Sequence, residues 1–571
     1  MILQALYDYY QRDKNSVPHG WMKANLSFII VIDDNGHFLR IEDCRNEKGK
    51  GQTYLLPKGE HNNSETPLLF WDNLMYALDY SDKPSKATHN KHLSFVKRCK
   101  DVASRYNDKS LQAVVLFYEQ NELLKVYNDS LWETVIKNPN NNVSFQIQGS
   151  MRIIPCEDSF RIIVQSECIA DDVDGQKGVC LITGNCSNLV KTGTKTPIRG
   201  CKSSAKLVSF QVSSGYDSYG KEQGYNAPIS VEADFAFSSA IKGMIEENSR
   251  NKFLIGSRTF LFWASKNDEA GKEAEESIFS MFGFSEQEDD PNKNIEQVRK
   301  VFTAIYSGEI RTTSEDKFYI LGLAPNSARI AVVYWAEIPL KEFAGTICKH
   351  FEDMTVVDTR IEKKPYMSLR NILSTVTLDG KVSDVTPNLP DAVIKSIFQG
   401  IPYPQTLFAS CIRRIRAESG DKDKNAVHIT RAAIIKAYLN RLNNNQKINV
   451  MLDKDNTNQG YLCGRLFAVL DKIQEEANNQ HSIRERYMNS ASSTPAAVFS
   501  TILNLSNHHV ENLKSEGRKI YFEKLKQEII SKIEADGFKA QLDLQDQGRF
   551  FIGYYHQRQD FFLKNEDNNN E

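Results

Sequence analysis

The stretch from Leu181 to Tyr216 contains basic residues but no acidic residue. Such a run concentrates positive charge that can contact phosphates, and a solvated strand-loop-strand is the structural alternative. The run, called the basic strip below, therefore predicts a surface that binds a nucleic-acid backbone. Its basic residues are Lys191, Lys195, Arg199, Lys202 and Lys206, and Ser203 adds a hydroxyl donor.

The segment SFQVSSGYDSYGKEQGYNAPIS at 209–230 combines glycines and tyrosines with small polar side chains. Glycine lets a backbone approach a ligand closely, and tyrosine offers a flat face with a polar tip. Both properties fit contact with sugars and bases. In a structural alternative, the glycines only turn the chain, and Asn and Gln side chains brace a Tyr-Gly turn. The residues expected to bind are Gln211, Ser218, Tyr219, Lys221, Gln223 and Asn226.

A second basic region covers residues 413–441, where the apolar residues recur at helical spacing. On a helix, such residues can form a stripe that follows a phosphate backbone, and we expect Arg413 and Arg414 to bind nucleic acid. An ordinary charged helix face is an equally good interpretation, because residues at these spacings need not share one side. The region contains Arg413, Arg414, Arg416, Lys422, Lys424, Arg431, Lys436 and Arg441 against Glu418, Asp421 and Asp423.

No motif predicts catalysis or a metal site. The stretch at 192–204 resembles a phosphate loop, but its spacing is wrong and Pro197 removes an amide donor. The cysteines at 168, 180, 186 and 201 lack the paired spacing of zinc ligands. His508 and His509 are expected to be surface or helix-cap residues and not a pair of metal ligands. We therefore expect no cofactor, no metal and no enzyme activity; the alternative is a metal-dependent nuclease with scattered acidic residues.

The composition predicts a globular chain of two or three domains. The chain has 571 residues, with 71 Lys+Arg against 73 Asp+Glu, so nucleic-acid binding has to rest on local patches. The amino terminus shows no leader pattern, and no apolar stretch approaches the length of a membrane span. A cytoplasmic protein without membrane contact is expected.

The hydrophobic pattern predicts an α+β fold. LSFIIVI and HFLRIE, at 26–32 and 37–42, are expected to form a hairpin across an Asp-Asp-Asn-Gly turn. Four more strands are expected at LQAVVLFY, SFRIIVQ, TFLFWA and RIAVVYW, in a mixed α/β body of residues 1–385. A helical domain at 386–487 and a terminal helical bundle at 488–571 are expected to follow. Nine carboxylates against one lysine at 267–290 predict a solvated helix and loop that faces away from phosphate.

Eight ordered segments carry a resemblance to a known family that spans nearly the whole chain. The chain resembles the CRISPR-associated large subunit of the type I-C Cascade complex. The segments are CLITGN (180–185), KLVSFQ (206–211), SYGKEQGYNAPIS (218–230), LGLAPNSARIAVVYW (321–335), YPQTLFASCIRRIRAE (403–418), GRLFAVLDKIQEEA (464–477), RYMNSASSTPAAVF (486–499) and GRFFIGYYHQRQDFF (548–562).

The resemblance implies a non-catalytic subunit of an RNA-guided surveillance complex in antiviral defence. Such a subunit recognises a short protospacer-adjacent motif (PAM) in duplex DNA, promotes duplex opening, stabilises the R-loop and helps recruit a helicase-nuclease. The implied partners are a guide RNA, backbone subunits, a guide-RNA-processing subunit, small subunits, the target duplex and its displaced strand. A scaffold that contacts only guide RNA or protein is the alternative.

The resemblance also assigns roles to three further residues. Lys23 and Asn73 are expected at the PAM, since an Asn amide both donates and accepts hydrogen bonds. An Asx turn after Trp71-Asp72 is the alternative for Asn73. Met488 is the expected internal start of a separately made small subunit, and otherwise a loop methionine before a helix.

Overall fold

The computed structural model divides the chain into two compact units. The first comprises Met1, Leu3–Thr196 and Lys206–Gly243; the second comprises Ile2, Pro197–Ala205 and Met244–Glu571. This division falls inside the mixed α/β body predicted for 1–385, and the boundaries predicted at 385/386 and 487/488 stay predictions. The structure describes residues 1–13, 17–58, 67–83, 85–171, 176–211, 215, 217, 219–282, 295–360, 368–386, 388–421, 425–442, 447–478 and 482–563.

The first unit contains a four-stranded sheet of order β3-β2-β6-β5, in which β2 and β6 are parallel. Two antiparallel pairs, β1-β4 and β7-β8, accompany it. The strands are β1 (Trp21–Leu26), β2 (Phe28–Ile32), β3 (Phe38–Asp43), β4 (Gln52–Pro57), β5 (Trp71–Asn73), β6 (Asn142–Ile147), β7 (Lys177–Val179) and β8 (Cys186–Asn188). The helices are α1 (Ile2–Arg12), α2 (Leu74–Ala77), α3 (Lys86–Tyr106), α4 (Lys109–Glu119), α5 (Leu123–Val126), α6 (Trp132–Val135), α7 (Asp158–Asp171) and α8 (Val231–Ile245).

The predicted hairpin is confirmed, because β2 and β3 pair antiparallel. Every residue of β2 is buried, as its unbroken apolar run requires. Gly36 closes the turn at a φ of 82°, a conformation that glycine adopts without strain.

Two of the predicted strands are helices. LQAVVLFY lies in α4, where the Asp108 side chain accepts hydrogen bonds from the Ser110 and Leu111 amides and so begins the helix. SFRIIVQ lies in α7, where Phe160, Ile163 and Val164 are buried at helical spacing. A short apolar run fits either a buried strand or a buried helix, and here the cap and the packing decide.

The second unit begins with a four-stranded antiparallel sheet of order β12-β11-β10-β9, which confirms the strands predicted at TFLFWA and RIAVVYW. Its strands are β9 (Lys252–Ile255), β10 (Arg258–Ala264), β11 (Lys317–Asn326) and β12 (Arg329–Pro339). Its helices are α9 (Glu269–Phe282), α10 (Ile295–Ser307), α11 (Leu340–Met354), α12 (Leu369–Ser374), α13 (Leu389–Gln399), α14 (Gln405–Glu418), α15 (Ile429–Arg441), α16 (Gln459–Asn478), α17 (Ser482–Ser493), α18 (Pro495–Glu511), α19 (Glu516–Ile530) and α20 (Leu544–Asp560).

These elements confirm the predicted α+β class, with sheets toward the amino terminus and helices toward the carboxy terminus. The acidic stretch predicted at 267–290 forms α9 up to Phe282, and residues 283–290 lie outside the described residues.

Glycines let α16 and α20 pack backbone to backbone. A Cβ at Gly464 would overlap the Phe550 carbonyl oxygen, and one at Gly553 would overlap the Tyr461 carbonyl oxygen. The side chains that flank these contacts are buried in the core of the second unit. A Cβ at Gly460 would likewise overlap the Asp546 carbonyl oxygen, so close approach of these two helices depends on glycine at three positions.

We predict that Gly464→Ala destabilises the α16–α20 contact by about 1–3 kcal/mol, because an added methyl group in a packed interior forces the backbones apart. Hydrogen exchange of peptides from α16 and α20 measures this change. Gly517→Ala in α19 is the matched control, since the nearest atom to its Cβ would be the Ser515 hydroxyl oxygen at 3.8 Å. Equal exchange rates in Gly464→Ala and the wild type would contradict the prediction.

Candidate nucleic-acid interface

The basic strip is exposed along most of its length. In the first unit, Lys191 and Lys195 are exposed and Lys206 is half-buried. In the second unit, Arg199, Lys202 and Ser203 are exposed. The strip is therefore available to solvent, but its residues divide between the two units.

A buried carboxylate of α8 fixes the first-unit part of the strip. The Asp234 carboxylate accepts hydrogen bonds from the Thr194 amide at 3.0 Å and from the Thr194 hydroxyl at 2.6 Å. Burial raises the pKa of the Asp234 carboxyl. The buried Thr196 hydroxyl accepts a hydrogen bond from the Leu207 amide. The strip is therefore held to the first unit at Thr194, Thr196 and Leu207.

The glycine-tyrosine segment is braced mainly by its own side chains. The Asn226 amide nitrogen donates to Asp217 Oδ1 at 3.3 Å and to the carbonyl oxygens of Lys221 and Gln223. The Gln223 amide also donates to Asp217 Oδ1, at 2.8 Å. For Asn226 and for the backbone of Gln223, these contacts match the structural alternative, a turn braced by polar side chains. We call residues 217 and 219–226 the braced turn.

Gly224 serves a close contact within the protein. A Cβ at this position would lie 2.5 Å from the Val190 carbonyl oxygen and 2.7 Å from the Lys191 carbonyl oxygen. The Gly224 amide donates to the Lys191 carbonyl oxygen at 3.0 Å. The absence of a side chain at Gly224 thus allows the braced turn to pack closely against the backbone of the basic strip.

The tip of this turn is the part that reaches solvent. Tyr219 is fully exposed at a φ of 52°, and Gly220 follows at a φ of 71°. Lys221 and Gln211 are exposed as well. An exposed ring beside an exposed cation suits base stacking next to a phosphate. Ser218 and Tyr216 lie outside the described residues.

An acidic residue from the braced turn reduces the net charge of the strip. The Lys191 ammonium lies 2.6 Å from the Glu222 carboxylate, and both side chains are exposed. Glu222 follows the end of the acid-free stretch, so counting charges along the sequence does not reveal this pair. The free positive charge is smaller than the five residues suggest.

A small cleft lies between the strip and the braced turn. Its volume is about 140 Å³, and Thr192, Gly193, Lys206 and Asp234 are among its lining residues. Ligand pockets for drug-sized molecules measure roughly 300–1,000 Å³. The cleft is too small to enclose a nucleotide, so a nucleic acid could bind only to the exposed side chains around it.

The two residues assigned to the PAM lie on strands of the first unit. Lys23 is exposed on β1, and Asn73 is half-buried at the end of β5. Asn73 caps α2, because its Oδ1 accepts a hydrogen bond from the Met75 amide at 3.1 Å. This is the Asx arrangement of the structural alternative, and the role in PAM contact stays a prediction.

Among its described residues, the second basic region does not form a stripe. Arg431, Lys436 and Arg441 are buried, contrary to that interpretation. Lys436 donates to the carbonyl oxygens of Glu352 and Asp353, and Arg441 pairs with the Asp353 carboxylate at 2.5 Å. Lys422 and Lys424 lie outside the described residues.

Of the two arginines assigned to nucleic acid in this region, only Arg413 is exposed. Arg414 is half-buried and pairs with Glu418, which also pairs with the buried Arg431 at 2.5 Å. Burial disfavours the charged Glu418, but the two arginines outweigh it and lower the pKa of Glu418 to about 2. The Glu418–Arg431 pair thus joins α14 to α15, while Arg414 pairs with Glu418 within α14.

One basic helix was not predicted from the sequence. Helix α3 contains six basic residues and one acidic residue, His excluded. Counting charge helix by helix would have found it, because its basic residues lie at helical spacing over 21 residues.

The described part of the chain contains no group of three or more His, Cys, Asp or Glu side chains that could hold a metal ion. His509 lies in the last turn of α18, and its Nδ1 lies 3.1 Å from the Asn478 amide nitrogen. Cys180 is buried, and its sulfur accepts hydrogen bonds from the amides of Ile182 and Ser230. These residues have structural partners. None of the helices in the described ranges combines the length and the apolar composition of a membrane span.

Comparison with known families identifies the chain. The family model of the CRISPR-associated protein Cas_Csd1 matches residues 6–562. The chain belongs to the Cas_Csd1 family. This is a large-subunit family associated with type I-C CRISPR systems, which confirms the resemblance seen in the eight sequence segments. A search of curated proteins found no match.

In this Cas_Csd1 protein, the low pKa of Glu418 gives a test of its role. The folded-state pKa lies below the ordinary value of 4.5, so the stabilisation is present above about pH 4.5 and is lost as the pH falls toward about 2. At pH 7, Glu418→Gln leaves Arg431 buried without an anion and is expected to reduce the free energy of unfolding by about 3–5 kcal/mol.

Urea denaturation at pH 7 and at pH 3 measures this difference, which should be smaller at pH 3. Arg416→Gln, at an exposed position of the same helix, is the control and should change stability by less than about 0.5 kcal/mol. A Glu418→Gln effect that does not depend on pH would argue against an ionised Glu418.

Proposed function

We propose that this chain is the non-catalytic large subunit of a type I-C surveillance complex, which recognises the PAM in duplex DNA. In this role it promotes duplex opening, stabilises the R-loop and helps recruit the helicase-nuclease. The observation that carries the proposal is the family match across residues 6–562. The exposed cations of the basic strip and the exposed tip at Tyr219 support it, because they suit contact with backbone and bases.

The distribution of charge supports binding rather than catalysis. In RNA-guided recognition, base pairing reads the target, and the protein needs only a few base contacts together with cations on phosphates. Lys202 and Lys221 are exposed on different loops and have no ion pair within the described residues. Such residues supply phosphate contacts without chemistry at the phosphorus.

The ion pair of Lys191 predicts a graded effect on DNA binding in the assembled complex. Lys221→Gln should reduce the slope of log affinity against log salt concentration by about 0.9, as expected for one lost phosphate contact. Lys202→Gln should do the same. Lys191→Gln should reduce the slope less, because Glu222 already neutralises that ammonium.

Fluorescence anisotropy with target duplexes that carry or lack the PAM measures these slopes. Unchanged slopes in Lys202→Gln and Lys221→Gln would favour a scaffold that contacts guide RNA or protein only. Metal-dependent cleavage of DNA by the isolated chain would instead indicate a nuclease.

Asn73 is tested separately by its effect on PAM discrimination. Asn73→Asp keeps an oxygen that can cap α2 but removes the amide donor. If Asn73 reads a base, this variant should lose about 1–3 kcal/mol of discrimination between duplexes with and without the PAM. Retained discrimination would move PAM reading to the basic strip or the braced turn.

We also propose that a separate small subunit, if made from this gene, starts at Met451 rather than at Met488. Met488 is buried inside α17 and is not a loop residue, which corrects that alternative. A product from Met488 would lack α16, and α16 supplies Asp471 for Tyr554 at 2.9 Å and Arg465 for Gln557 at 3.0 Å. Met451 is exposed ahead of α16, so a product from Met451 retains α16–α20.

Expression of the intact gene tests the two starts. A start at Met451 gives a product of 121 residues (451–571), and a start at Met488 gives one of 84 residues (488–571). Met451→Leu should abolish the short product, whereas Met488→Leu should leave its size and amount unchanged. Loss of the product in Met488→Leu alone would contradict this choice, and absence of any short product would remove the proposal.

A further inference from the structure

Helix α3 places a row of cations on the surface of the first unit. The Ser85 side chain begins the helix by accepting a hydrogen bond from the Thr88 amide. Phe95, Cys99 and Val102 bury the opposite side of the helix in the core of that unit. The helix is therefore a fixed element, and its solvent face has a defined geometry.

Three lysines share this face. At about 100° per residue, Lys86, Lys97 and Lys100 fall within a sector of about 60° and extend over roughly 21 Å. All three are exposed. Lys86 and Lys97 have no ion pair within the part of the chain that the structure describes. Lys100 lies 3.0 Å from Glu119, in an exposed pair of the kind that typically contributes about 0–1 kcal/mol.

The other cations of α3 are occupied by the protein itself. Arg98 donates to the Pro67 carbonyl oxygen at 2.6 Å, and the Lys91 ammonium lies 5.6 Å from the centre of the Tyr76 ring. Arg105 lies over Tyr106 and donates to the Asp101 carbonyl oxygen. The row of three lysines is thus separate from the cations that stabilise the fold.

We propose that the Lys86-Lys97-Lys100 face of α3 binds the sugar-phosphate backbone of duplex DNA. A row of roughly 21 Å runs along about six base pairs of duplex. Single-stranded nucleic acid is usually held by cations together with exposed aromatic rings. On α3, Phe95 is buried and the exposed large apolar residue is Leu93, so the face suits phosphates and not bases.

The fold indicates which part of the duplex is involved. Asn73 caps α2, and α2 packs against α3 in the same unit. This step rests on the proposed function: if the PAM is read from Asn73, the face of α3 contacts the duplex that continues beyond the PAM. Phosphate contacts of this kind position the duplex without adding sequence preference.

The test uses the full chain in the assembled complex and two target duplexes. One ends a few base pairs beyond the PAM, and the other continues for roughly two helical turns. The triple variant Lys86→Gln, Lys97→Gln, Lys100→Gln should bind the long duplex at least about tenfold more weakly at 0.1 M salt. Its salt slope should be reduced by about 1.8 for Lys86 and Lys97, with a smaller further reduction for Lys100, which Glu119 partly neutralises. Its affinity for the short duplex should equal that of the wild type.

Two variants control for charge and folding. Lys48→Gln, Lys50→Gln, Lys137→Gln removes three exposed lysines of the same unit and should leave both affinities unchanged. Lys86→Arg, Lys97→Arg, Lys100→Arg keeps the charges and should bind as the wild type does. Glutamine is a good helix former, so far-UV circular dichroism of the glutamine variant should match the wild type.

The outcomes separate this inference from the proposed function. If the wild type does not discriminate the PAM, the proposed function fails, while a loss specific to the long duplex would still support binding by α3. If the wild type discriminates and the α3 variant binds both duplexes normally, the inference about α3 fails alone. Equal losses on both duplexes, or loss of guide RNA from the purified variant complex, would also overturn it.

Discussion

Removing a charge from water is so unfavourable that a buried cation must be paired, and this constraint decides which basic residues of the chain can meet a phosphate. Arg431 and Arg441 meet it with Glu418 and Asp353, and Lys436 meets it with carbonyl oxygens. These cations are committed to the fold. Those that remain exposed on the basic strip, on the turn at Tyr219 and on α3 are the ones that can bind a polyanion.

Contacts within the first unit hold the backbone of the candidate interface in that unit. Thr194 is bound to the buried Asp234, and Gly224 lies against the backbone of Val190 and Lys191. These contacts hold the backbone while leaving Lys195, Lys221 and Tyr219 exposed. A loop held in this way loses little additional freedom when it binds a ligand, so the entropic penalty of binding is smaller.

In the carboxy-terminal helices, the packing of α16 against α20 is limited by how closely their backbones can approach. Gly464 and Gly553 allow α16 and α20 to approach closely, and buried polar contacts from Arg465 and Asp471 lie along the same interface. A short product with a stable fold has to contain both helices. This requirement follows from the packing of α16 against α20. The positions of the methionines alone do not distinguish between possible translation starts.

The family, the α+β class, the β2-β3 hairpin and the helices of the last third could all be predicted from the amino-acid sequence, because each depends on local spacing or on ordered segments. Tertiary structure decided that LQAVVLFY and SFRIIVQ are helices, that Asn73 and Asn226 have structural partners, and that Glu222 neutralises Lys191. It also decided which cations stay exposed. The reason is physical: the state of a charge or an amide depends on the groups around it, and these come from distant parts of the chain.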